Sequence, residues 1–235
     1  MLIIFILLLP ALISTAPLPR SQFILERKGF VVGFDGRTRN ASWVYELLNN
    51  ESLQEKKRGR SSYRFTQDLT IPDPFRVKNN DFRNSGFHRG HLCPFADLPD
   101  SCAAESFLLS NISPQLPSLN CGAWHRLENH VRALVSKYKE LHVITLPLYL
   151  PEMEEDGKRY VRYQVLGKTG VAVPTHFAKA IFALRDDLIE TFVYLLPNQE
   201  IVDDVSLDFF KTTLEQVERL SGVLFPNLES FFKAD

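Results

Sequence analysis

A single long amphipathic stripe lies in the middle of a chain whose other apolar runs have the length of β-strands. Apolar residues recur at spacings of three and four from Trp124 to Tyr138, which predicts one helix with Asn120 in its first turn. A shorter helical stripe runs from about Ser206 to Gly222. The remaining runs are rich in aromatic and β-branched residues and are bounded by turn residues. The pattern predicts one α+β domain with a central antiparallel sheet flanked by helices.

The predicted strands fall into two groups. Residues 30–34 and 43–48 form a hairpin through turn residues 36–40. Four further runs follow the central helix, at 141–150, 160–166, 171–184 and 190–196. Turn residues separate these runs, so we expect them to pair as an antiparallel sheet.

The N-terminal residues 2–13 are almost entirely apolar, and no Lys or Arg precedes Arg20. This stretch is shorter than the roughly 20 residues that a membrane-spanning helix needs, so no stable membrane span is expected. Its length, and the small residues 14–16, are typical of a signal peptide. We expect residues 1–16 to be a signal peptide or a retained hydrophobic segment, and residues 21–235 to form the domain.

The formal net charge of −1 does not by itself indicate a polyanionic partner. The charges are unevenly distributed, however. Residues 53–91 carry nine Lys and Arg against four Asp and Glu, whereas residues 186–208 carry seven acidic residues and no basic ones. Most charge runs are solvated surfaces, but the basic run leads directly into a histidine motif. This polarity fits an enzyme that binds a nucleic-acid backbone.

Residues 87–128 contain the side chains that phosphodiester cleavage requires. A neutral imidazole such as that of His91 can accept a proton from water. A hard cation such as Mg²⁺ prefers oxygen ligands, which an asparagine or glutamate supplies, and keeps several waters. An arginine donates a planar fork of hydrogen bonds to a phosphate. The set predicts metal-assisted hydrolysis of phosphodiester bonds.

The same stretch resembles the DNA/RNA non-specific endonucleases of the ββα-metal, or His-Me finger, class. The DRGH signature of that family corresponds to residues 88–91, and its metal-binding helix corresponds to residues 119–128. The similarity continues at residues 38–44, 156–161 and 171–177. It implies a ββα-metal fold and cleavage of both DNA and RNA to 5′-phosphate products.

The resemblance also implies roles for individual residues. Asn120 would hold one hydrated Mg²⁺, for which Mn²⁺ can substitute, and Glu128 would act through water. His91 would be the general base, and Arg89 would contact the phosphate. The full set of expected site residues is His91, Arg89, Asn111, Glu128, Arg60 and Asn120, with Arg58 as a further substrate-binding residue. A homodimer is expected by the same resemblance.

One departure from the family pattern is His88, where the signature usually has Asp. A histidine still forms hydrogen bonds but cannot supply a negative charge. A nucleic-acid-binding protein without cleavage, on the same scaffold, is therefore the alternative. A zinc site formed by His88, His91, Cys93 and Cys102 is disfavoured, because this spacing is not typical of zinc-binding motifs.

The oxidation state of the three cysteines depends on the compartment in which the protein resides. A secretory leader implies an oxidising environment, in which Cys93 and Cys102 would form a disulfide. Cys121 would then remain beside Asn120, where an oxidant or alkylating agent would inhibit the enzyme. In a reducing compartment, such as the mitochondrial location that the resemblance also allows, all three would be small buried thiols. The sequence leaves both possibilities open.

Overall fold

The computed structural model describes residues 22–54, 59–185 and 188–225. Within these ranges the strands are β1 Gln22–Glu26, β2 Phe30–Asp35, β3 Asn40–Asn49, β4 His88–His91, β5 Ile112–Gln115, β6 Glu140–Leu148, β7 Glu152–Met153, β8 Arg159–Tyr160, β9 Val165–Leu166, β10 Val171–Ala172, β11 His176–Arg185 and β12 Leu188–Pro197. The α-helices are α1 Asn50–Gln54, α2 Pro117–Cys121, α3 Ala123–Leu134 and α4 Leu214–Ser221. Short 3-10 turns, such as Arg60–Ser62 and Phe95–Asp97, connect them.

Six strands form the central sheet, in the order β1-β2-β3-β6-β11-β12. All neighbours pair antiparallel, as the sequence predicts. The predicted hairpin is confirmed by β2 and β3, in which Val32 lies opposite Val44. The three long strands β6, β11 and β12 confirm the predicted runs 141–150, 171–184 and 190–196 in their central parts.

The two faces of the sheet are covered differently, because side chains alternate across each strand. One face packs Val44, Val143 and Ile181 against α3, whose Trp124 and Leu127 are buried. The other face packs apolar residues of β6, β11 and β12 around Val217 of α4. The sheet is therefore a middle layer, and the histidine motif lies on the α3 side.

A separate two-stranded ribbon, β4 and β5, precedes α2 and α3 in the chain. His88 lies opposite Gln115 in this ribbon, and His91 lies opposite Ile112. Two strands followed by a helix form the ββα unit that the resemblance predicts. The ribbon and the helices bring residues that are distant in sequence to the same cleft.

The predicted single helix that holds Asn120 in its first turn is wrong. The chain forms two helices, because Gly122 between them has φ −102° and ψ −112°. A Cβ at Gly122 would lie 2.5 Å from the carbonyl oxygen of Ser118, so only glycine fits this break. Asn120 therefore lies in α2, and α3 ends at Leu134 rather than reaching Tyr138.

Three other predicted elements differ from those in the structure. Residues 160–166 do not join the central sheet, and most of their side chains are exposed on short ribbons. The run 171–184 is divided by Pro174 into β10 and β11, since proline cannot donate a backbone hydrogen bond. The predicted C-terminal helix is likewise divided into a 3-10 turn at Leu207–Phe210 and α4, which ends at Gly222 with φ 70°.

Several expectations concern residues outside the described ranges. These are the N-terminal segment 1–16, Arg58, the turn at 186–187 and the C-terminal residues after Phe225. In the part of the chain that the structure does describe, no helix combines the length and the apolar character needed to cross a membrane.

Candidate active site

The ribbon and the two central helices enclose a cleft of about 670 Å³. Of the residues predicted from the sequence, His91, Arg89, Asn120, Glu128 and Arg60 line this cleft. His88, Cys121, His125 and Arg132 also line it, together with Phe65, Phe87 and Phe95. The cleft thus combines a basic rim, an imidazole and oxygen donors on a partly aromatic wall.

Gly90 separates Arg89 and His91 in strand β4 of the ribbon. A Cβ at Gly90 would lie 2.1 Å from Oε1 of Gln115, whose side chain crosses the ribbon at this point. Gln115 is fully buried, so it has little room to move aside. The glycine of the signature is required for close packing of the two strands.

Asn111 does not line the cleft, although the sequence predicted a catalytic role for it. Its side chain is fully buried, and its Oδ1 accepts a hydrogen bond of 2.9 Å from the backbone N–H of Cys93. Its Nδ2 donates to the carbonyl oxygens of Cys93 and Ser106. Its own carbonyl accepts from the N–H of Leu92 at 3.0 Å. Asn111 therefore fixes the backbone that follows His91, and its side chain is buried away from the cleft.

The imidazole of His91 lies between aromatic rings. The centroid of the Phe107 ring lies 5.0 Å from that of the imidazole, with the two rings nearly perpendicular, and the centroid of the Phe65 ring lies 5.4 Å from it. Its Nε2 is buried and has no hydrogen-bond partner among the described residues. Burial, and secondarily the positive charge of Arg60, lowers the pKa of His91 to about 3. The imidazole is therefore neutral near pH 7 and has a nitrogen free to accept a proton.

Asn120 and His88 face each other across the end of the cleft. Nδ2 of Asn120 lies 3.2 Å from Nδ1 of His88, and Sγ of Cys121 lies 3.8 Å from the same nitrogen. The amide oxygen of Asn120 has no hydrogen-bond partner within the described ranges. The contact with His88 thus orients the amide and leaves its oxygen available.

Glu128 projects from α3 into the cleft, and its side chain is only 13% exposed. Its nearest ionisable neighbour on the helix is His125, whose Nδ1 lies 3.8 Å from Oε2 of Glu128. Burial raises the pKa of Glu128 to about 7, and the charge of Lys179 opposes this rise while that of Asp97 adds to it. Glu128 therefore titrates near neutral pH, which is unusual for a carboxyl group and typical of functional sites.

Two arginines occupy the rim of the cleft. Nη2 of Arg89 donates to the carbonyl oxygen of Asn79 at 2.8 Å. The guanidinium also lies 5.6 Å from the ring of Phe65 and 5.2 Å from that of Phe82, so it is held before any ligand binds. Arg60 is exposed and lies 5.6 Å from the ring of Phe107, beside His91. Arg58, the other predicted substrate-binding residue, lies outside the described residues.

The sequence did not single out Arg132 and His125 as site residues. Arg132 follows Glu128 by four residues and His125 precedes it by three, so helical spacing from Glu128 would have found both. Arg132 donates from Nη1 to Oδ1 of Asp97 at 2.6 Å and from Nη2 to Asn129 at 2.7 Å. It is therefore a second fixed cation at the cleft.

The donor atoms in the cleft suit a hard divalent cation. No group of three or more His, Cys, Asp or Glu side chains in the described part of the chain is arranged to hold a metal. The cleft instead offers the free amide oxygen of Asn120, with the carboxyl group of Glu128 on the next helix. A sparse set of oxygen donors fits Mg²⁺, which keeps several of its waters when bound.

Of the two alternatives for the cysteines, the structure does not show the disulfide between Cys93 and Cys102, and Cys121 is not disulfide-bonded either. Sγ of Cys93 lies 3.1 Å from Oε2 of Glu46, whereas Cys102 contacts the carbonyl oxygen of Pro99 at 3.7 Å. The two thiols thus have separate buried environments. The alternative of three buried thiols is right for Cys93 and Cys102 but not for Cys121, which is exposed.

This arrangement, a two-stranded ribbon with a histidine at its end and a helix with an asparagine at the cleft, defines a ββα-metal nuclease. A family model described as DNA/RNA non-specific endonuclease matches residues 10–230. The chain therefore belongs to the DNA/RNA non-specific endonuclease family. It is an endonuclease, a hydrolase that acts on nucleic acids, and nucleases of this family use divalent metal ions.

Individual relatives agree with this assignment. The chain is 42% identical over 223 residues to mitochondrial endonuclease G of Bos taurus, covering 93% of this chain and 74% of that protein. It is 42% identical over 215 residues to mitochondrial endonuclease G of Homo sapiens, covering 90% and 72%. The crystal structure of an EndoG/EndoGI complex matches with a TM-score of 0.85 and 39% identity, covering 88% of this chain and 87% of that one.

Proposed function

We propose that this endonuclease hydrolyses DNA and RNA to products with 5′-phosphates, with His91 as general base and a hydrated Mg²⁺ held by Asn120. The observation that carries the proposal is the state of His91. His91 lines the cleft, its buried Nε2 has no hydrogen-bond partner among the described residues, and its imidazole is neutral near pH 7. A general base needs both an unpaired nitrogen and the unprotonated form.

His91 takes a proton from the attacking water, whose oxygen bonds to phosphorus as the bond to the 3′ oxygen breaks. The departing 3′ oxygen takes a proton from a second water in the cleft and leaves as a hydroxyl. A base with a pKa of about 3 is weak when the cleft is empty. A bound phosphate would offset the charge of Arg60, one of the two causes of the low value, and would itself favour the protonated imidazole. Substrate binding therefore strengthens the base at the moment it is used.

The arginines and the carboxyl group act on the charge of the phosphate. Arg89, already held by Asn79 and two phenylalanine rings, donates hydrogen bonds to the phosphate oxygens as negative charge grows on them. Arg60, which lies beside the ring of Phe107, does the same. Glu128 orients water within the cleft. Bound at Asn120, Mg²⁺ or a substituting Mn²⁺ would supply Lewis-acid stabilisation of the phosphate.

Both DNA and RNA are expected substrates, because no step uses the 2′-hydroxyl that distinguishes them. Rim cations such as Arg60 and Arg89 contact the backbone rather than the bases, which supports cleavage with little sequence preference. The homodimer expected from the family resemblance remains part of the proposal. Because the EndoG structure that this chain resembles contains an inhibitor, a protein inhibitor that binds this chain is also part of the proposal.

We propose a mitochondrial location rather than a secretory one. Two relatives that match over most of this chain are mitochondrial endonucleases, which supports the mitochondrial alternative. The absence of a disulfide between Cys93 and Cys102 agrees with a reducing compartment. Fractionation of cells that express a C-terminally tagged protein tests this location. Recovery of the tag mainly from the medium would contradict it.

The central test is digestion of plasmid DNA and of RNA with and without EDTA. The wild-type protein should cut both substrates, stop when EDTA is added and resume with excess Mg²⁺. His91→Ala should lose at least about 10²–10⁴-fold in turnover and keep its affinity for nucleic acid. Binding without any cleavage by the wild type would instead support the alternative, a nucleic-acid-binding protein on a nuclease scaffold.

A further inference from the structure

The turn that carries Arg60 lies on the surface of the protein. All three residues of Arg60–Ser62 are exposed, and the backbone N–H of Tyr63 closes the turn on the carbonyl oxygen of Arg60 at 3.1 Å. This hydrogen bond shapes the turn but does not attach it to the wall of the cleft. A contact between Arg60 and a phosphate needs such an attachment, because a long arginine side chain on a loose turn has much conformational freedom to lose.

Tyr63, directly after this turn, is held through both its ring and its hydroxyl group. The ring stacks on that of Phe107, with 5.3 Å between the centroids and an angle of 10° between the planes. The ring of Phe95 lies 5.2 Å away, tilted by 56°. The hydroxyl donates a hydrogen bond of 2.6 Å to Oδ1 of Asp100. Aromatic pairs at these distances are favourable, and a hydrogen bond to a carboxylate is stronger than one between neutral groups.

The buried ring of Phe107 connects Tyr63 to the site. Its centroid lies 5.0 Å from that of the His91 imidazole, and the guanidinium of Arg60 lies 5.6 Å from it. One ring therefore contacts the proposed base, the arginine beside it and the tyrosine. Thr66 attaches the following backbone to the same residue, because its N–H donates to the carbonyl oxygen of Phe107 at 3.1 Å.

We propose that Tyr63 is a positioning residue, which docks the Arg60 turn on Phe107 and Asp100 and so holds the guanidinium of Arg60 beside His91. The consequence for cleavage rests on the proposed roles of Arg60 and His91, whereas the docking of the turn does not. Tyr63 is not among the residues that line the cleft. It acts on the phosphate through Arg60.

Hydrogen exchange of peptides that cover residues 59–66 measures the docking in the absence of substrate. In Tyr63→Ala these amides should exchange about tenfold faster or more, because two ring contacts and one hydrogen bond no longer oppose opening of the turn. Tyr63→Phe keeps the rings and loses only the bond to Asp100, so its exchange should be intermediate. It also replaces the alanine variant in every assay if that variant fails to fold. Unchanged exchange in the folded variants overturns the proposal.

Tyr160→Ala is the matched control. The hydroxyl of Tyr160 also donates to a carboxylate, Asp156, at 2.7 Å, and its ring also lies near an arginine, Arg162, at 5.3 Å. Tyr160 belongs to the short strand β8 and does not line the cleft. Its removal should leave the exchange of residues 59–66 and the rate of cleavage unchanged. Equal acceleration of that exchange in Tyr160→Ala overturns the specific docking by Tyr63.

A double-mutant cycle with Arg60→Ala tests the effect on cleavage. Tyr63→Ala should lower kcat/KM by up to about 10²-fold, the cost of displacing a catalytic group by about 1 Å, and Tyr63→Phe should restore most of the activity. In the Arg60→Ala background the change of Tyr63 should cost less than about twofold, because the side chain that it positions is already absent. Equal losses in both backgrounds overturn the positioning role, since independent groups have additive effects.

The two measurements separate this proposal from the proposed function. Faster exchange in Tyr63→Ala, together with wild-type cleavage by Arg60→Ala, supports the docking of the turn and overturns the role of Arg60 in cleavage. Salt dependence provides a further readout that lost packing alone would not change. Tyr63→Ala should reduce the slope of log affinity against log salt by about 1, as the loss of one phosphate contact does. A wild-type slope in Tyr63→Ala, with a reduced slope in Arg60→Ala, overturns the positioning of Arg60 by Tyr63.

Discussion

Nδ2 of Asn120 lies 3.2 Å from Nδ1 of His88, and this contact links the proposed metal-binding residue to the one position where the family signature is altered. The signature usually has Asp at this place. Both side chains can accept a hydrogen bond from the asparagine amide, so the exchange preserves the acceptor. What it removes is the negative charge close to the proposed metal.

His88→Ala should weaken metal activation, because Asn120 would lose the contact that orients its amide oxygen. Groups that support a metal ligand in this way typically contribute about 10–100-fold to metal affinity or activity. The measurement is Mn²⁺ binding by electron paramagnetic resonance, with cleavage against Mg²⁺ concentration as a second readout. His88→Asp restores an acceptor and a charge, and should bind the metal at least as well as wild type. Equal metal affinity in His88→Ala and wild type would contradict the proposed orientation.

The pH dependence of cleavage should follow Glu128 rather than His91. The pKa of His91 is about 3, so the base is already unprotonated throughout the range from pH 5 to 8. The pKa of Glu128 is about 7 because of its burial, so its carboxylate form is lost as the pH falls below that value. Activity should therefore fall by up to about tenfold per pH unit on the acid side. Raising the Mg²⁺ concentration should move this limb to lower pH, since a nearby cation favours the carboxylate.

Glu128→Gln provides the control for this assignment. The variant should be slower than wild type at pH 8 and should show no acid limb between pH 5 and 8. Persistence of the limb in Glu128→Gln would assign it to another group, and the unshifted reference pKa of histidine near 6.5 would then make His91 the first candidate.

Much of the fold can be predicted from the sequence, because apolar runs of strand length that are separated by turn residues favour an antiparallel sheet. The hairpin of Val32 and Val44 and the existence of β6, β11 and β12 as antiparallel strands follow from strand patterning. The direct pairing of β6 with β11 does not, because the run 160–166 was expected to lie in the same sheet. The helix break at Gly122 does not, because a glycine in the first turn of a predicted helix is compatible with a continuous helix.

The residues of the site were predictable only where they belong to recognisable sequence motifs. Arg89, His91 and Asn120 belong to short motifs, so their types and spacing carry the chemistry. Lys179 sits in a run that is otherwise typical of a core strand, and only the three-dimensional structure shows that Trp124 of α3 lies against its ammonium. The role of Asn111 also required the structure, since an asparagine beside a catalytic histidine can contact either substrate or backbone.

Backbone recognition predicts that affinity falls steeply with salt and depends little on sequence. Binding is best measured in the His91→Ala background, where the nucleic acid stays intact, from about 50 to 200 mM salt. Arg60→Ala should weaken binding to all sequences and reduce the slope of log affinity against log salt by about 1. Arg219→Ala is the matched control, because Arg219 is exposed on α4, on the opposite face of the sheet. Equal slopes in the two variants would remove Arg60 from the binding surface.

The cysteines can be distinguished by their reactivity toward a thiol reagent. Cys121 is exposed at the cleft, whereas Cys93 and Cys102 are buried. Burial raises the pKa of Cys93 well above its ordinary value, which further suppresses its reactive thiolate. Mass spectrometry of the native protein should therefore find one labelled cysteine, Cys121. In denaturant without reductant all three should react, and a single reactive thiol there would restore the disulfide between Cys93 and Cys102.

Labelling of Cys121 should also abolish cleavage. Its Sγ lies 3.8 Å from Nδ1 of His88, the nitrogen that contacts Asn120, so an adduct on the sulfur occupies space beside the proposed metal ligand. Cys121→Ser keeps nearly the same side-chain size and should retain activity before and after treatment with the reagent. Inhibition of Cys121→Ser to the same extent as wild type would place the sensitive group elsewhere. Full activity of wild-type protein carrying a bulky label at Cys121 would show that this end of the cleft is not used by the substrate or the metal.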